Sequence, residues 1–445
     1  MLQRLFKNRG LVLICVVVAG YLFFATWYAL VLPPGAGPDE AEHIRYVEIL
    51  RSEHAFPLLP GWSGEDKSLQ ALSAQHPPLY YLVLAIVSLP FASPQAGFGL
   101  YALRIASVLM GAAALCFVLC TARRLWPSSL GLVAAAGIFG LFPNYQYMTA
   151  VVNNSTGVIL ASALTLWAMV CILTAEKDTV GHWLALGLAV AVGVASKLTA
   201  VWLMVPAAGC LIYCARNREY STKKLLGIAA TVFVPAILVA ALWMGRSMML
   251  YGMLVPQSVT QRSIVQDNIF LLVPGVWGTV GWYTASDVFV GLATPFWLAK
   301  PHGWQRWWVG WPLVILFGIA IAGYIRAAMR KSTWLRPLEC GRGRQPSTLD
   351  PAEQIRSVLA RLCGWGFAVA WLIVIVIMLR DFGALNYGGR YMQSTMPAVG
   401  MIWAVGYSRL LKTDHLRRTV LSLIFTLLLW AAMFWYFSVL TFQTG

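Results

Sequence analysis

Apolar residues fall along this chain in long blocks separated by short polar stretches. A run of about 18 apolar residues or more is long enough to cross a bilayer as a helix. The first such run occupies residues 11–32. Others are expected near 99–122, 128–148, 155–175, 181–196, 198–215, 225–247, 306–326, 358–380, 395–411 and 418–440. The pattern predicts an all-α polytopic protein of about eleven transmembrane helices, a single integral membrane domain over 1–445. Residues 181–215 also fit one long bent helix, which would invert everything after it. Two connections at the outer face are long, 33–98 and 248–305. The first contains an apolar stretch within 75–91 that is too short to span, and it is expected as a helix lying at or dipping into the membrane surface. The second is rich in Trp and Tyr, as interfacial belts are. Residues 328–357, with Arg, Gly and Pro, read as a cytoplasmic loop.

Composition agrees: 59% of residues are hydrophobic and only 11% charged, against about 25% charged in soluble domains. The net charge of +16 raises two readings, nucleic-acid binding or basic loops on the cytoplasmic side. Placement separates them. Of the 33 lysines and arginines, 22 fall in the N-terminal tail or in loops that the topology puts inside. The charge then needs no nucleic acid, and the N-terminus lies in the cytoplasm. The first apolar run is too long for a signal-peptide core and no A-x-A-like site follows it, so it is expected to stay as a helix. Seven of the 8 cysteines sit in apolar segments, Cys340 sits in a basic loop, and no CxxC occurs. Neither a disulfide nor a cysteine metal site is expected. Walker, GxGxxG, HExxH and GxSxG patterns are missing from the sequence, which argues against a nucleotide-driven pump.

The chemistry-bearing stretch is 37–50, GPDEAEHIRYVEIL, directly after the first apolar run. Pro38 suits a first helical turn, which would place Asp39 and Glu40 at the positive helix end. Asp39 and His43 share a face at i, i+4, with Ala41, Ile44 and Val47 as a separate apolar stripe. Such a group supplies a general base with neighbours that orient it or hold a cation. A solvated interfacial helix would show the same pattern. An aspartate needs partial burial to act as a base near neutral pH, and the 76–91 helix is expected to cover it. Gln75-His76-Pro77-Pro78 forms a second polar cluster at the same depth. Near the C-terminus, Gly388-Gly389 lets backbone approach a ligand, and Arg390 offers planar phosphate recognition. Arg104 and Lys197 are isolated cations in or beside apolar segments, and so mark candidate sites. Asn153-Asn154-Ser155-Thr156 lies at another outer turn.

In their order these elements resemble the GT-C superfamily of polyprenyl-phosphate-dependent glycosyltransferases, and within it bacterial membrane-protein families with a PPDE-x-x-H signature. The likeness comprises Pro38-Asp39-Glu40 with His43, HPPLYY at 76–81, LRIASVLMGA followed by ARRLW over 103–126, SKLTA at 196–200, GTVGW at 278–282 and GGRYMQSTMPA at 388–398. The resemblance implies a multi-helix fold with juxtamembrane helices in a large first external loop. It implies transfer of a sugar from a polyprenyl-phosphate-linked donor to a glycan or lipid acceptor, on the extracytoplasmic face of a bacterial inner membrane. By position, Asp39 is the catalytic acid residue, supported by Glu40 and His43. Arg390 and Tyr391 belong to the lipid-phosphate site, with Lys197 beside them, and His76, Tyr80 and Asn154 line the substrate. Where a divalent metal (Mg or Mn) is used, Asp39, Glu40 and His43 are its expected ligands. One departure stands out: related sequences often carry an acid at the position of Asn154. Single displacement predicts inversion at the anomeric carbon. The competing expectation is a transporter or flippase for a lipid-linked saccharide, and a third is a non-catalytic partner in polysaccharide assembly.

Overall fold

The computed structural model describes residues 9–60, 67–95, 97–256, 318–326, 351–381 and 392–411, with 420, 421, 424 and 428. Among them the helices are α1 (Arg9–Val31), α2 (Glu40–Ser52), α3 (Leu79–Ser88), α4 (Gly97–Leu125), α5 (Leu130–Ala136), α6 (Pro143–Ala150), α7 (Ser155–Thr174), α8 (Val180–Ser196), α9 (Met204–Asn217), α10 (Thr222–Tyr251), α11 (Pro351–Asp381) and α12 (Met396–Leu410). Among the described residues, six segments are long and apolar enough to cross a membrane: Leu11–Val31, Gly97–Leu125, Ser155–Thr174, Leu198–Asn217, Thr222–Tyr251 and Glu353–Ile373. The protein is a multi-pass membrane protein built of helices, as the apolar blocks require.

Three departures have physical causes. The expected span 128–148 is not one helix. It breaks into α5, a 3-10 turn over Ile138–Leu141, and α6. Gly137 ends α5, and Pro143 occupies the first turn of α6, where its missing N–H has no consequence. Nearly every residue of this stretch is buried, so the broken backbone is surrounded by protein rather than lipid. Second, residues 181–215 are two helices and not one bent one. The chain reverses at Lys197, and Gly193 comes back against Leu203 and Ala200. Third, α11 starts at Pro351, inside the segment expected as a loop. The spans expected at 306–326 and 418–440, and the loop 248–305, lie largely outside the described residues.

Helices in lipid gain little from burying apolar surface, so they associate where small residues allow close approach. A Cβ at Gly187 would lie 2.4 Å from the Thr231 carbonyl oxygen, and one at Gly400 would lie 2.1 Å from that of Ala136. Glycine is what lets α8 meet α10 and α12 meet α5. Polar ties fix the register. The Tyr21 hydroxyl contacts Val108 O and Thr149 Oγ1, both at 2.9 Å, joining α1, α4 and α6.

The two ends of the bundle differ. One carries Arg123, Arg124, Lys177, Arg216, Lys223 and Lys224, with Asp178 holding Arg218 and Lys224 in ion pairs. Burial pushes the Asp178 carboxyl up, but Lys224, Tyr220 and Arg218 outweigh it and hold it below the usual carboxylate range. Arg218 also donates to Ile172 O and Ala175 O at 2.9 Å. The opposite end carries α2 and α3. Ten-residue α3 buries Tyr80, Tyr81, Leu84, Ala85 and Ser88, and turns Leu82, Val83, Ile86 and Leu89 outward. That outward apolar face suits the membrane surface.

Candidate active site

Asp39 does not sit in the first helical turn. It precedes α2 at φ 57°, ψ 18°, in the left-handed region, and its side chain makes no cap hydrogen bond. Asp tolerates this region better than most residues. Its carbonyl accepts the His43 N–H at 3.0 Å, the first bond of the helix. The Asp39 residue is exposed, and the short helix that was expected to cover it covers His43 and Tyr46 instead. The expected apolar stripe also splits. Ile44 and Val47 are buried with Glu40, His43, Tyr46 and Ile49, whereas Ala41 is exposed.

Glu40 is turned the other way. Its carboxylate is fully buried against Arg104, with Nε to Oε1 at 2.9 Å and Nη2 to Oε2 at 2.7 Å. It also accepts the N–H groups of Val152 at 3.0 Å, Gly35 at 3.1 Å and Gly37 at 3.4 Å. The remaining donors of Arg104 reach Ala29 O (3.2 Å) and Leu32 O (2.6 Å), at the end of α1, and Pro33 O (2.8 Å), which also accepts the Ala36 N–H. Arg104 is therefore not an isolated cation. With Glu40 it closes the end of α1, the 33–38 loop and the 151–152 turn into one buried knot, and Asp39 is the next residue on.

Below α2 lies a column of rings. Tyr46 stacks on Tyr81 at 3.9 Å and 6°, Tyr81 on His43 at 5.7 Å, and His43 on His76 at 6.2 Å. Burial keeps the Tyr46 and Tyr81 hydroxyls well above their ordinary pKa, so both stay protonated. The single hydroxyl proton of Ser73 goes to Glu42 O at 2.8 Å. The Tyr81 hydroxyl meets His43 Nδ1 at 2.8 Å. That bond ties the His43 ring to α3 whichever ring nitrogen carries the proton. Tyr80 works similarly. It accepts the Asn153 N–H at 3.0 Å and meets Ser107 Oγ at 2.8 Å, which itself donates to Leu103 O at 3.1 Å. Both functions of the Tyr80 hydroxyl are used, so it holds the 153–154 turn.

Lys197 closes the far side. Its Nζ donates to Ser155 Oγ at 3.2 Å, and Ser155 is the first residue of α7. A cation at the positive end of a twenty-residue helix is unfavourable by itself and favourable around an anion. Burial pushes His76 well below its ordinary pKa, and the charges of Lys197 and His43 push it further. Asn154 is fully buried, its Nδ2 reaching Ser196 O at 3.4 Å while Oδ1 has no hydrogen-bond partner among the described residues.

The structure thus brings Asp39, His43, His76, Lys197 and Asn154 to one end of the bundle. Arg390 and Tyr391 lie outside the described residues. The expected metal ligands do not fit a shared ion. Both Glu40 oxygens are taken by Arg104 and backbone, and no three His, Cys, Asp or Glu side chains group together among the described residues. The sequence did not point to Tyr81, Ser73 or Ser107. The adjacent tyrosines at 80–81 were the available signal, since tyrosine inside an apolar helix seeks a partner for its hydroxyl.

Comparison with known proteins follows the same outline. A model of the dolichyl-phosphate-mannose-protein mannosyltransferase family matches residues 75–243, from the Gln75-His76 cluster into α10. The Asp39 motif precedes that match. No curated protein matches the chain in sequence. Among solved structures, the Archaeoglobus fulgidus oligosaccharyltransferase AglB, in complex with an inhibitory peptide and a dolichol-phosphate, matches with TM-score 0.52 and 13% identity over 98% of this chain and 56% of that one. The oligosaccharyltransferase of the same organism in complex with Zn and sulfate matches with TM-score 0.50 and 13% identity over 94% of this chain and 53% of that one. ArnT from Cupriavidus metallidurans bound to undecaprenyl phosphate shows TM-score 0.40 and 12% identity over 90% and 77%. The chain spans about half the length of the archaeal enzyme. The resemblance to the GT-C superfamily thus holds in sequence over residues 75–243 and in fold over most of the chain.

Proposed function

We propose that the protein transfers a sugar from a polyprenyl-phosphate-linked donor to a glycan or lipid acceptor, with inversion. The observation that carries this reading is the arrangement around Asp39. An exposed carboxylate is held in a strained backbone conformation beside a buried ion pair, at the end of the bundle where Lys197 crowds the N-terminus of α7. That end is opposite the basic one, so the positive-inside tendency puts it on the extracytoplasmic face of the inner membrane.

In the proposed step the acceptor hydroxyl oxygen attacks the anomeric carbon, and Asp39 takes its proton. The bond from that carbon to the phosphate oxygen breaks with its electron pair on the phosphate. Lys197 and the N–H groups opening α7 stabilise this charge, with Arg390 and Tyr391 assigned to the same phosphate. His76 stays neutral beside Lys197 and adds no positive charge that would compete with the sugar. Desolvation of Asp39 then comes from the bound donor rather than from α3. The archaeal oligosaccharyltransferase, similar in fold, binds a dolichol-phosphate in its complex, a ligand of the proposed donor class. The described charges lie toward the two ends of the bundle, whereas transporters tend to place them near the midplane.

The test uses the full-length protein in proteoliposomes, a panel of radiolabelled polyprenyl-phosphate sugars, membranes from cells lacking the protein as acceptor, and no nucleotide. Transfer from at least one donor is expected. Asp39→Asn should lower kcat by about 10²–10⁴, the range of general-base catalysis. Lys197→Met should raise donor KM more than acceptor KM. Wild-type turnover in Asp39→Asn would remove the base assignment. Donor crossing the bilayer without transfer would establish the transport reading instead.

A further inference from the structure

Helix α2 walls a second space on the side away from Asp39 and His43. On a helix of 3.6 residues per turn the lining positions 41, 42, 44 and 45 centre on the face opposite His43. There lies an open cavity of about 610 Å³, within the size range of small-ligand sites. Its walls include Pro34 of the 33–38 loop, Glu42 and Arg45 of α2, and Pro60, Gln70 and Gln95.

The walls are preformed. Glu42 Oε2 accepts the Leu72 N–H at 2.8 Å, the Leu58 N–H meets Leu69 O at 2.8 Å, and Gly35 N–H is tied to Glu40 at 3.1 Å. Arg45 is held by Glu48 at 2.6 Å and by the Ser68 carbonyl. Gln95 Nε2 donates to the same Glu48 oxygen at 2.5 Å. What stays open to a ligand among the described residues is Glu42 Oε1, the Gln95 carbonyl oxygen and the Gln70 amide. Planar carboxylate and carboxamide groups present paired donors and acceptors that match adjacent hydroxyls. The prolines offer flat apolar patches for C–H faces. Arg45 is offset by Glu48, so Glu42 leaves the cavity with net negative charge, which repels a phosphate.

We infer that this cavity binds a neutral, hydroxyl-rich saccharide: the part of the acceptor glycan remote from the bond being formed. The word acceptor rests on the transfer reading; the saccharide chemistry rests on the cavity alone. It separates the two substrates across α2, with the anionic donor on the Lys197 side and the neutral glycan on the Glu42 side. Both sides end on the 33–38 loop that leads into Asp39.

The experiment places labelled full-length protein in nanodiscs on an array of neutral and anionic glycans. Binding to at least one neutral glycan is expected, with no matching anionic signal. Ala41→Trp, at an exposed position on the cavity wall, and Gln70→Ala should each weaken that binding at least tenfold. Asp178→Asn, at the opposite end of the bundle, should leave it unchanged. Failure of every neutral glycan to bind, equal binding of anionic ones, or full binding by both cavity variants would overturn the inference. Intact glycan binding without any donor turnover would count against the transfer reading and leave the cavity assignment standing.

Discussion

Removing the charge of Glu40 tests whether the buried knot is what holds Asp39 in place. Glu40→Gln leaves the Arg104 guanidinium buried without its counterion. Breaking one side of a buried pair costs about 3–5 kcal/mol. The left-handed conformation at Asp39 costs about 1–3 kcal/mol, toward the lower end for Asp. In the wild type the knot exceeds the strain by about 2 kcal/mol or more, so the strained conformer dominates. Without it the margin vanishes, and about 1.4 kcal/mol in favour of the relaxed backbone displaces Asp39 in nine molecules of ten. The expected result is a loss of about 3–5 kcal/mol in stability and a roughly tenfold fall in kcat, at that same relaxation energy. Arg104→Met should do the same. The double variant Glu40→Met with Arg104→Met carries a sharper expectation. Apolar replacement of a simple buried pair is often neutral. Here three backbone N–H groups and the Ala29 and Leu32 carbonyls would also lose partners, each costing about 1–3 kcal/mol where water cannot reach. The double variant should therefore stay destabilised. Thermal unfolding in detergent gives the stability, and hydrogen exchange at the amides of Gly35, Gly37 and Val152 reports the knot directly. A Glu40→Gln protein within about 0.5 kcal/mol of wild type, with those amides still protected, would refute the reasoning.

Tyr81→Phe keeps the ring column and removes the hydroxyl bonded to His43 Nδ1. Stability should fall by about 1 kcal/mol, and the pH dependence of kcat should change while donor KM does not. For His76 the sign follows from its lowered pKa. Below about pH 6.5 the unfolded chain binds a proton that the folded protein refuses, so stability should fall as pH drops through that value. Denaturation at pH 7.5 and pH 5.5 should show this slope in the wild type and a shallower one in His76→Gln. At the basic end, Asp178→Asn removes the partner of Arg218 and Lys224. It should lower thermal stability slightly, by about 1 kcal/mol or less for so accessible a pair, and leave turnover unchanged.

Helix positions were readable because lipid forces every backbone group to bond within its own segment, so long apolar runs have one solution. The rule fails where a segment is wrapped by protein. Residues 128–148 looked like another span, yet Gly137 and Pro143 break it harmlessly inside the bundle. Distance along the chain hid the rest. Arg104 was visible as a cation in an apolar helix, but its partner Glu40 lies 64 positions away, beyond any periodic pattern. Tyr80 was expected at the substrate, and only the path through Asn153 and Ser107 shows its hydroxyl already engaged. The cavity across α2 had no trace in the sequence, because it is made of gaps between segments rather than of a motif.

The Asp-Glu pair shows why adjacent like charges at such a position are informative. Two carboxylates side by side at a helix start cannot share one environment without raising each other's energy. Asp39 itself takes the left-handed conformation, leaving Glu40 buried in the bundle and Asp39 exposed. The buried one meets a fixed guanidinium and loses all freedom, and through that loss sets the backbone of its neighbour. Lys197 follows the same logic with the opposite sign. Its ammonium sits where a helix dipole repels it, an arrangement that an incoming anion relieves. One charge is held rigid by a buried counterion, and the other sits at the positive end of a helix, where an anion would lower its energy.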